Sequence, residues 1–150
     1  MLDKNHATNH QQRDCPMIKC SLFSNTLGHL DDALDENDTQ VIVIADTARL
    51  KAVMESNDHY YFNAAKVDLH SRYLEKNMFE MPLVAPTGTS LKWIEGFHQI
   101  NAAADRELPV LPVTTSAALA ERVKALVGAS SPESAHEIFE FSGCHGVTVA

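Results

Sequence analysis

The chain has 150 residues, of which 45% are hydrophobic and 21% are charged, and its formal net charge is −8. This length and composition are typical of one globular domain with a core of its own, which excludes a wholly disordered chain. No apolar run approaches the ~20 residues of a membrane-spanning helix, and the acidic charge disfavours direct binding to nucleic acid. The polar start of the chain lacks the apolar segment of a secretory signal. The three cysteines are too few, and odd in number, to form a disulfide framework. We therefore expect a soluble, cytoplasmic protein.

The N-terminal third contains one clear strand signal. Residues 1–16 are polar and predict a flexible N-terminal tail, and a first strand is predicted within residues 17–23. The acidic stretch 31–38 is interpreted as a solvated turn or helix end rather than a calcium site, because its spacing does not match an EF-hand loop. The β-branched run 40–45 predicts a buried strand, and Asp46 is the predicted N-cap of the following helix.

The middle of the chain predicts a loop, a helix and a hairpin. The loop covers residues 57–66 and exposes its aromatic side chains, and Asp68 is the predicted N-cap of the next helix. Strands at 81–85 and 91–94 are joined by turn residues and form the hairpin. The apolar face of the helix is predicted to contain Leu69, Tyr73, Leu74 and Met78.

A strand and two helices are predicted to follow the hairpin. Gly96 ends the hairpin, and the first helix is predicted over residues 97–106. Residues 108–113 predict a strand, and its two prolines indicate either a position at a sheet edge or limited pairing. Thr115 or Ser116 is the predicted cap of a long final helix, which ends at Gly128.

The chain is divided into the tail, a domain over residues 17–128 and a C-terminal extension over 129–150, in which one or two short strands are predicted. Apolar positions that recur with helix or strand periodicity define the predicted core. Its members are Val41, Ile42, Val43, Ile44, Leu50, Val53, Leu83, Val84, Trp93, Ile100, Ala103, Val110, Val113, Leu119 and Val123.

A strand, a tight glycine turn and a helix follow one another around Gly96. A helix that starts in this way directs its free N–H groups and the positive end of its dipole to one point, which suits a phosphate. Ala102 and Ala103 allow the helix to lie close to the sheet. The candidate phosphate-binding or nucleotide-binding residues are Glu95, Gly96, Phe97, His98 and Gln99.

These residues, with Ala102-Ala103 and the Leu-Pro-Val of residues 111–113, resemble the signature of ParB-like N-terminal domains and sulfiredoxins. Over residues 41–128 the chain is similar to the plasmid fertility-inhibition factors, a branch of the same fold. The resemblance implies an α/β (α+β) protein with a ParB/sulfiredoxin-like mixed sheet and helices packed on it.

The chain departs from the family pattern at Gln99, where relatives have arginine. Arginine binds phosphate oxygens with a charged, bidentate fork, which a neutral amide cannot replace. The resemblance and this loss favour a non-catalytic interaction or regulatory protein of a plasmid or phage, with a protein partner and no cofactor. The alternative is a nucleotide-binding ParB-like enzyme, an NTPase or nuclease, that uses ATP or CTP with Mg²⁺.

Two further patterns involve cysteine. Zinc accepts two imidazoles and two thiols, which this chain offers in His6, His10, Cys15 and Cys20. Their order is unusual for a zinc site, and a polar tail is the simpler interpretation. Cys144-His145 resembles the reactive turn of sulfiredoxins. Because only five residues follow His145, no helix can lower the pKa of the Cys144 thiol, and we expect coincidence rather than sulfiredoxin chemistry.

Overall fold

A computed structural model describes residues 16–150, so that the predicted tail, except for Pro16, and His6, His10 and Cys15 lie outside the described part. The strands are β1 (Ile18–Ser21), β2 (Gln40–Asp46), β3 (Met78–Glu80), β4 (Leu83–Thr87), β5 (Ser90–Glu95), β6 (Val110–Ser116), β7 (Phe139–Glu140) and β8 (Thr148–Val149). The α-helices are α1 (Thr47–Glu55), α2 (Ala64–Glu75), α3 (Phe97–Asp105) and α4 (Ala120–Val127), and 3₁₀ turns occupy Ala117–Leu119 and Pro132–Glu137.

The strands form two sheets. The larger sheet has the order β5-β4-β6-β2-β8 and is mixed, because β4 is parallel to β6 whereas β6 and β2 are antiparallel. The smaller sheet is parallel and has the order β3-β1-β7. One mixed sheet, one parallel sheet and the packed helices confirm the predicted α+β class.

The core is built around β2 and β6, which pair over seven residues from Gln40↔Ser116 to Asp46↔Val110. A continuous β-branched run is typical of a strand that is covered on both faces, and residues 41–45 of β2 are all buried. Of the 15 predicted core residues, 12 are buried, and Val53, Trp93 and Leu119 are partly buried and pack against the buried clusters. The predicted core is therefore largely confirmed.

Of the two alternatives predicted for the proline-containing strand, the edge position is wrong, because β6 lies between β4 and β2. Limited pairing is observed on the side of β4. Thr114 N–H donates to the carbonyl of Pro82, where β4 joins β6. Backbone N–H groups two residues apart in a strand point to the same neighbouring strand. The nitrogen of Pro112, two residues before Thr114, therefore faces β4. β4 pairs with β6 only at Leu83↔Thr114, and the missing N–H of Pro112 therefore breaks no ladder bond.

The second helix starts earlier than predicted. The side chain of Asn63, not of Asp68, caps α2 by accepting a hydrogen bond from Lys66 N–H at 3.1 Å. Asp68 lies inside the helix and pairs with Arg72 at 2.7 Å. The predicted apolar face is also wrong, since α2 buries Val67 and Leu74. Of the other predicted members, Leu69, Tyr73 and Met78 are exposed, and Met78 belongs to β3.

The last helix starts later than predicted, because β6 continues to Ser116 and a 3₁₀ turn precedes α4. Ser116 makes no side-chain cap to that turn. Instead Asp38, from the acidic stretch, accepts a hydrogen bond from Ala118 N–H at 2.8 Å, and this bond lowers the pKa of its carboxyl group. The C-terminal residues add β7 to the smaller sheet and β8 to the larger one. Within residues 16–150 no helix is both long and apolar enough to cross a membrane.

Candidate functional site

The glycine turn between β5 and α3 requires a glycine for two reasons. Gly96 has a φ of 130°, a region that residues with a side chain rarely adopt. A Cβ atom at this position would lie 2.4 Å from Pro82 Cβ and 2.7 Å from Pro82 Cα, so that the turn packs directly on the residue before β4. The predicted strand–glycine–helix order is present.

A carboxylate of the chain itself occupies the start of α3. Glu95 Oε1 accepts a hydrogen bond from Gly96 N–H at 2.9 Å. A negative charge at a helix N-terminus interacts favourably with the helix dipole. Glu95 therefore makes the type of contact that a bound phosphate would make.

The next two candidate residues are buried. Gln99 is 1% exposed, and its Nε2 donates to Glu80 Oε1 at 3.1 Å. His98 is 4% exposed, and its ring lies edge-on to Tyr61 with centroids 5.1 Å apart. Gln99 Oε1 and His98 Nε2 have no hydrogen-bond partner within the described part of the chain. The Gln99 side chain therefore donates to the Glu80 side chain of the protein itself.

The electrostatic environment of the turn is acidic on one side. Burial raises the pKa of Glu80, and the charge of Glu95 raises it further. Burial lowers the pKa of His98, and the charge of Lys66 acts in the same direction. Burial also lowers the pKa of His70 on α2. Both shifts favour the neutral form of the side chain, which for His98 disfavours the positive charge that an anion would need.

The basic residues nearest in sequence do not converge on the turn. Lys92 Nζ pairs with Asp31 at 2.8 Å, and a guanidinium N–H of Arg106 donates to the carbonyl of Leu74 at 3.1 Å. Lys66 approaches from α2, but its Nζ bonds to Tyr61 Oη at 3.1 Å and lies 5.5 Å from the centroid of that ring. The arrangement can hold a helix N-terminus and a small aromatic cluster in place, but it lacks the cationic clamp of a phosphate site.

The cysteine patterns do not form reactive or metal-binding groups among residues 16–150. Cys20 is buried in β1, and Cys144 Sγ donates to its carbonyl oxygen at 3.4 Å. Burial raises the pKa of both thiols, which opposes the thiolate form that a nucleophile needs. No group of three or more His, Cys, Asp or Glu side chains is placed to hold a metal in this part of the chain.

The sequence did not indicate the role of Glu80 or the exposure of one helix surface. Glu80 lies on β3, 19 residues before its partner Gln99, and no local pattern connects the two. Five of the six large hydrophobic side chains that are exposed in the described part lie between residues 61 and 78. They are Tyr61, Phe62, Leu69, Tyr73 and Met78, and the predicted apolar face of the second helix included the last three of them.

Comparison of the chain with protein-family models, with curated proteins and with solved structures finds no match.

Proposed function

We propose that this protein is a non-catalytic binding protein that acts by contacting another protein, and that the surface of α2 makes the contact. The observation that carries the proposal is the exposure of apolar side chains along this helix. Phe62, Leu69 and Tyr73, which we call the α2 apolar surface, are 62%, 44% and 36% exposed. Exposed apolar patches on a folded protein mark interaction sites.

The spacing of these residues supports one shared face. Leu69 and Tyr73 are four residues apart, one turn of α2, and Phe62 directly precedes Asn63, the N-cap of the same helix. The buried residue Val67 lies about 200° around the helix from Leu69, because each residue turns the helix by about 100°. α2 therefore packs on the protein with one side and presents aromatic and aliphatic groups on the other.

The glycine turn favours binding over catalysis. Glu95 accepts the first N–H of the helix start, and Gln99 is bonded to Glu80. The Glu95 carboxylate at this place repels phosphate, and the buried amide of Gln99 offers no charge to offset it. Together with the resemblance to fertility-inhibition factors, this supports a regulatory protein of a mobile element, with a component of a transfer or nucleoprotein apparatus as its target.

A transfer assay tests the biological part of this proposal. We expect expression of the wild-type protein in a donor cell to lower the transfer frequency of at least one co-resident conjugative plasmid. Leu69→Lys should abolish the effect, since a charge replaces the exposed leucine. The matched control is Phe23→Ser, which changes the exposed aromatic residue outside residues 61–78 and should leave inhibition intact. Equal activity of both variants would contradict a role for the α2 apolar surface.

Calorimetry with ATP and CTP in the presence of Mg²⁺ tests the enzyme alternative. We expect no binding tighter than about millimolar, because a helix terminus alone contributes at most about 1 kcal/mol near a surface. Gln99→Arg should not restore tight binding, since the guanidinium would meet Glu80 first. Gly96→Ala is the variant that tests the turn, and a retained melting transition shows that it still folds. If the wild-type chain bound nucleotide at micromolar concentration and the folded variant did not, a nucleotide enzyme would be the better proposal.

A further inference from the structure

A cleft of about 410 Å³ lies beside the β4–β5 hairpin and is separate from the α2 apolar surface. The apolar part of its lining consists of Leu91, Trp93 and Phe97. The rings of Trp93 and Phe97 have centroids 5.6 Å apart and planes inclined by 39°. A cavity of this size, with aromatic walls and a few polar groups, has the properties of a small-molecule site.

Two hydrogen bonds connect the parts of the chain that form the cleft. Asn57 Nδ2 donates to the carbonyl of Leu91 at 2.8 Å, which attaches the loop after α1 to β5. Asn57 Oδ1 accepts from His59 N–H at 2.8 Å, which positions His59 at the lining. Phe97 is also held from behind, because Tyr60 and Tyr61 meet its ring edge-on at 5.3 and 5.9 Å. The cleft is therefore preformed.

Three polar side chains of the cleft can donate hydrogen bonds, and the ammonium group of one of them, Lys92, is also paired with Asp31 at 2.8 Å. His59, Thr87 and Lys92 belong to its lining, and none of the described residues that line it is acidic, although the chain carries a net charge of −8. The indole Nε1 of Trp93 is itself buried, so that the accessible donors of the lining belong to His59, Thr87 and Lys92. A ligand that complements this lining has a flat ring for Trp93 and Phe97 and an oxygen that accepts hydrogen bonds.

We propose that this cleft binds a small planar aromatic compound that carries a carbonyl or carboxylate acceptor. The flat ring packs against Trp93 and Phe97, and the acceptor oxygen faces the donors of the lining. A basic group on the ligand finds no acidic partner among these residues. The site is independent of the proposed protein contact.

The single tryptophan of the chain provides the measurement, since a ¹⁵N-labelled sample gives one indole N–H resonance, that of Trp93. Four probes are titrated: benzoate, benzamide, cyclohexanecarboxylate and benzylamine. We expect benzoate, benzamide or both to shift this resonance saturably, and the other two to leave it in place. The stronger of the two active probes shows whether the acceptor is charged. No shift by either aromatic acceptor at about 10 mM, or equal shifts by cyclohexanecarboxylate or benzylamine, would overturn the proposal.

A pair of substitutions on one hairpin locates the binding. Thr87→Phe fills the cleft without removing any of its aromatic groups, and aromatic residues suit a strand. We expect it to weaken binding of the active probe at least about tenfold, the effect of losing one good contact. Thr89→Phe is the control, because Thr89 is exposed on the same hairpin and does not line the cleft. Equal binding by the two variants, or equal loss in both, would contradict the assigned position.

Discussion

Helices α2 and α3 pack against each other, yet one is almost enclosed by the protein and the other is mostly open. α3 buries six consecutive residues, 98–103, whereas the longer α2 buries only Val67 and Leu74. The helix with the recognisable turn motif is therefore the less accessible of the two. The comparison shows that a motif at a helix start indicates how the chain folds at that point, and that accessibility decides whether the motif can bind anything.

The largest expected effect concerns the start of α3. Gly96→Ala should lower the free energy of unfolding by about 2–6 kcal/mol, because it adds backbone strain and a collision with Pro82. Gly88→Ala is the matched control, since Gly88 also has a positive φ of 58° but no atom within 4 Å of the added Cβ. We expect it to cost about 1–2 kcal/mol. Urea denaturation measures both, and equal losses would mean that Pro82 does not restrict the turn.

The two sides of α2 should respond differently to the same substitution. Leu74→Ala removes a fully buried side chain and should cost about 2–5 kcal/mol. Leu69→Ala changes a side chain that is 44% exposed and should alter stability by no more than about 0.5 kcal/mol. Thermal and urea denaturation compare the two variants. A large loss for Leu69→Ala would show that α2 packs with the face predicted from the sequence.

The position of the α2 cap allows a finer comparison. Asn63→Ala should cost about 1 kcal/mol, since the Asn63 side chain accepts the N–H of Lys66. Asp68→Ala removes only an exposed pair with Arg72 and should cost about 0.5 kcal/mol or less. Denaturation of the two single variants separates these outcomes. The reverse ranking would restore Asp68 as the start of the helix.

The smallest expected effect is the pH dependence that originates beside α3. Burial lowers the pKa of His98 below its ordinary value of 6.5, so that the unfolded chain binds the proton first as the pH falls. The contribution of His98 to stability is therefore present above pH 6.5 and is lost as the pH falls towards the lowered pKa. His70 contributes with the same sign. His98→Asn should flatten the fall in unfolding free energy between about pH 7.5 and 5.5.

Glu80 provides the control of opposite sign. Its pKa is raised above the ordinary value of 4.5, so that its effect favours folding below pH 4.5 and is lost as the pH rises through the raised value. Glu80→Gln keeps an oxygen that can accept from Gln99 and should stabilise the protein modestly at neutral pH. The gain should disappear under acid conditions. Urea denaturation at several pH values measures both slopes, and an unchanged slope for His98→Asn would contradict the burial of this imidazole as the cause.

The order of secondary-structure elements at the candidate site was predictable from the sequence, but the side chains that surround the site were not. The pattern around Gly96 correctly predicts a strand, a glycine turn and a helix, because each depends on neighbouring residues. The hydrogen bond of Gln99 to Glu80, by contrast, joins residues 19 positions apart. The cleft likewise combines the loop residue His59 with Thr87 and Trp93 from the hairpin. No spacing in the chain encodes such a combination.

The sequence by itself determined the α+β class, the buried strand β2, the cap at Asp46 and most of the core, because local periodicity and capping chemistry specify them. The tertiary structure decided the central place of β6, since a proline is tolerated wherever the neighbouring strand makes no bond to its nitrogen. It also decided which side of α2 is buried. Val67 and Leu74 compete there with an equally apolar face formed by Leu69 and Tyr73, and only the position of α3 and the sheets selects between them.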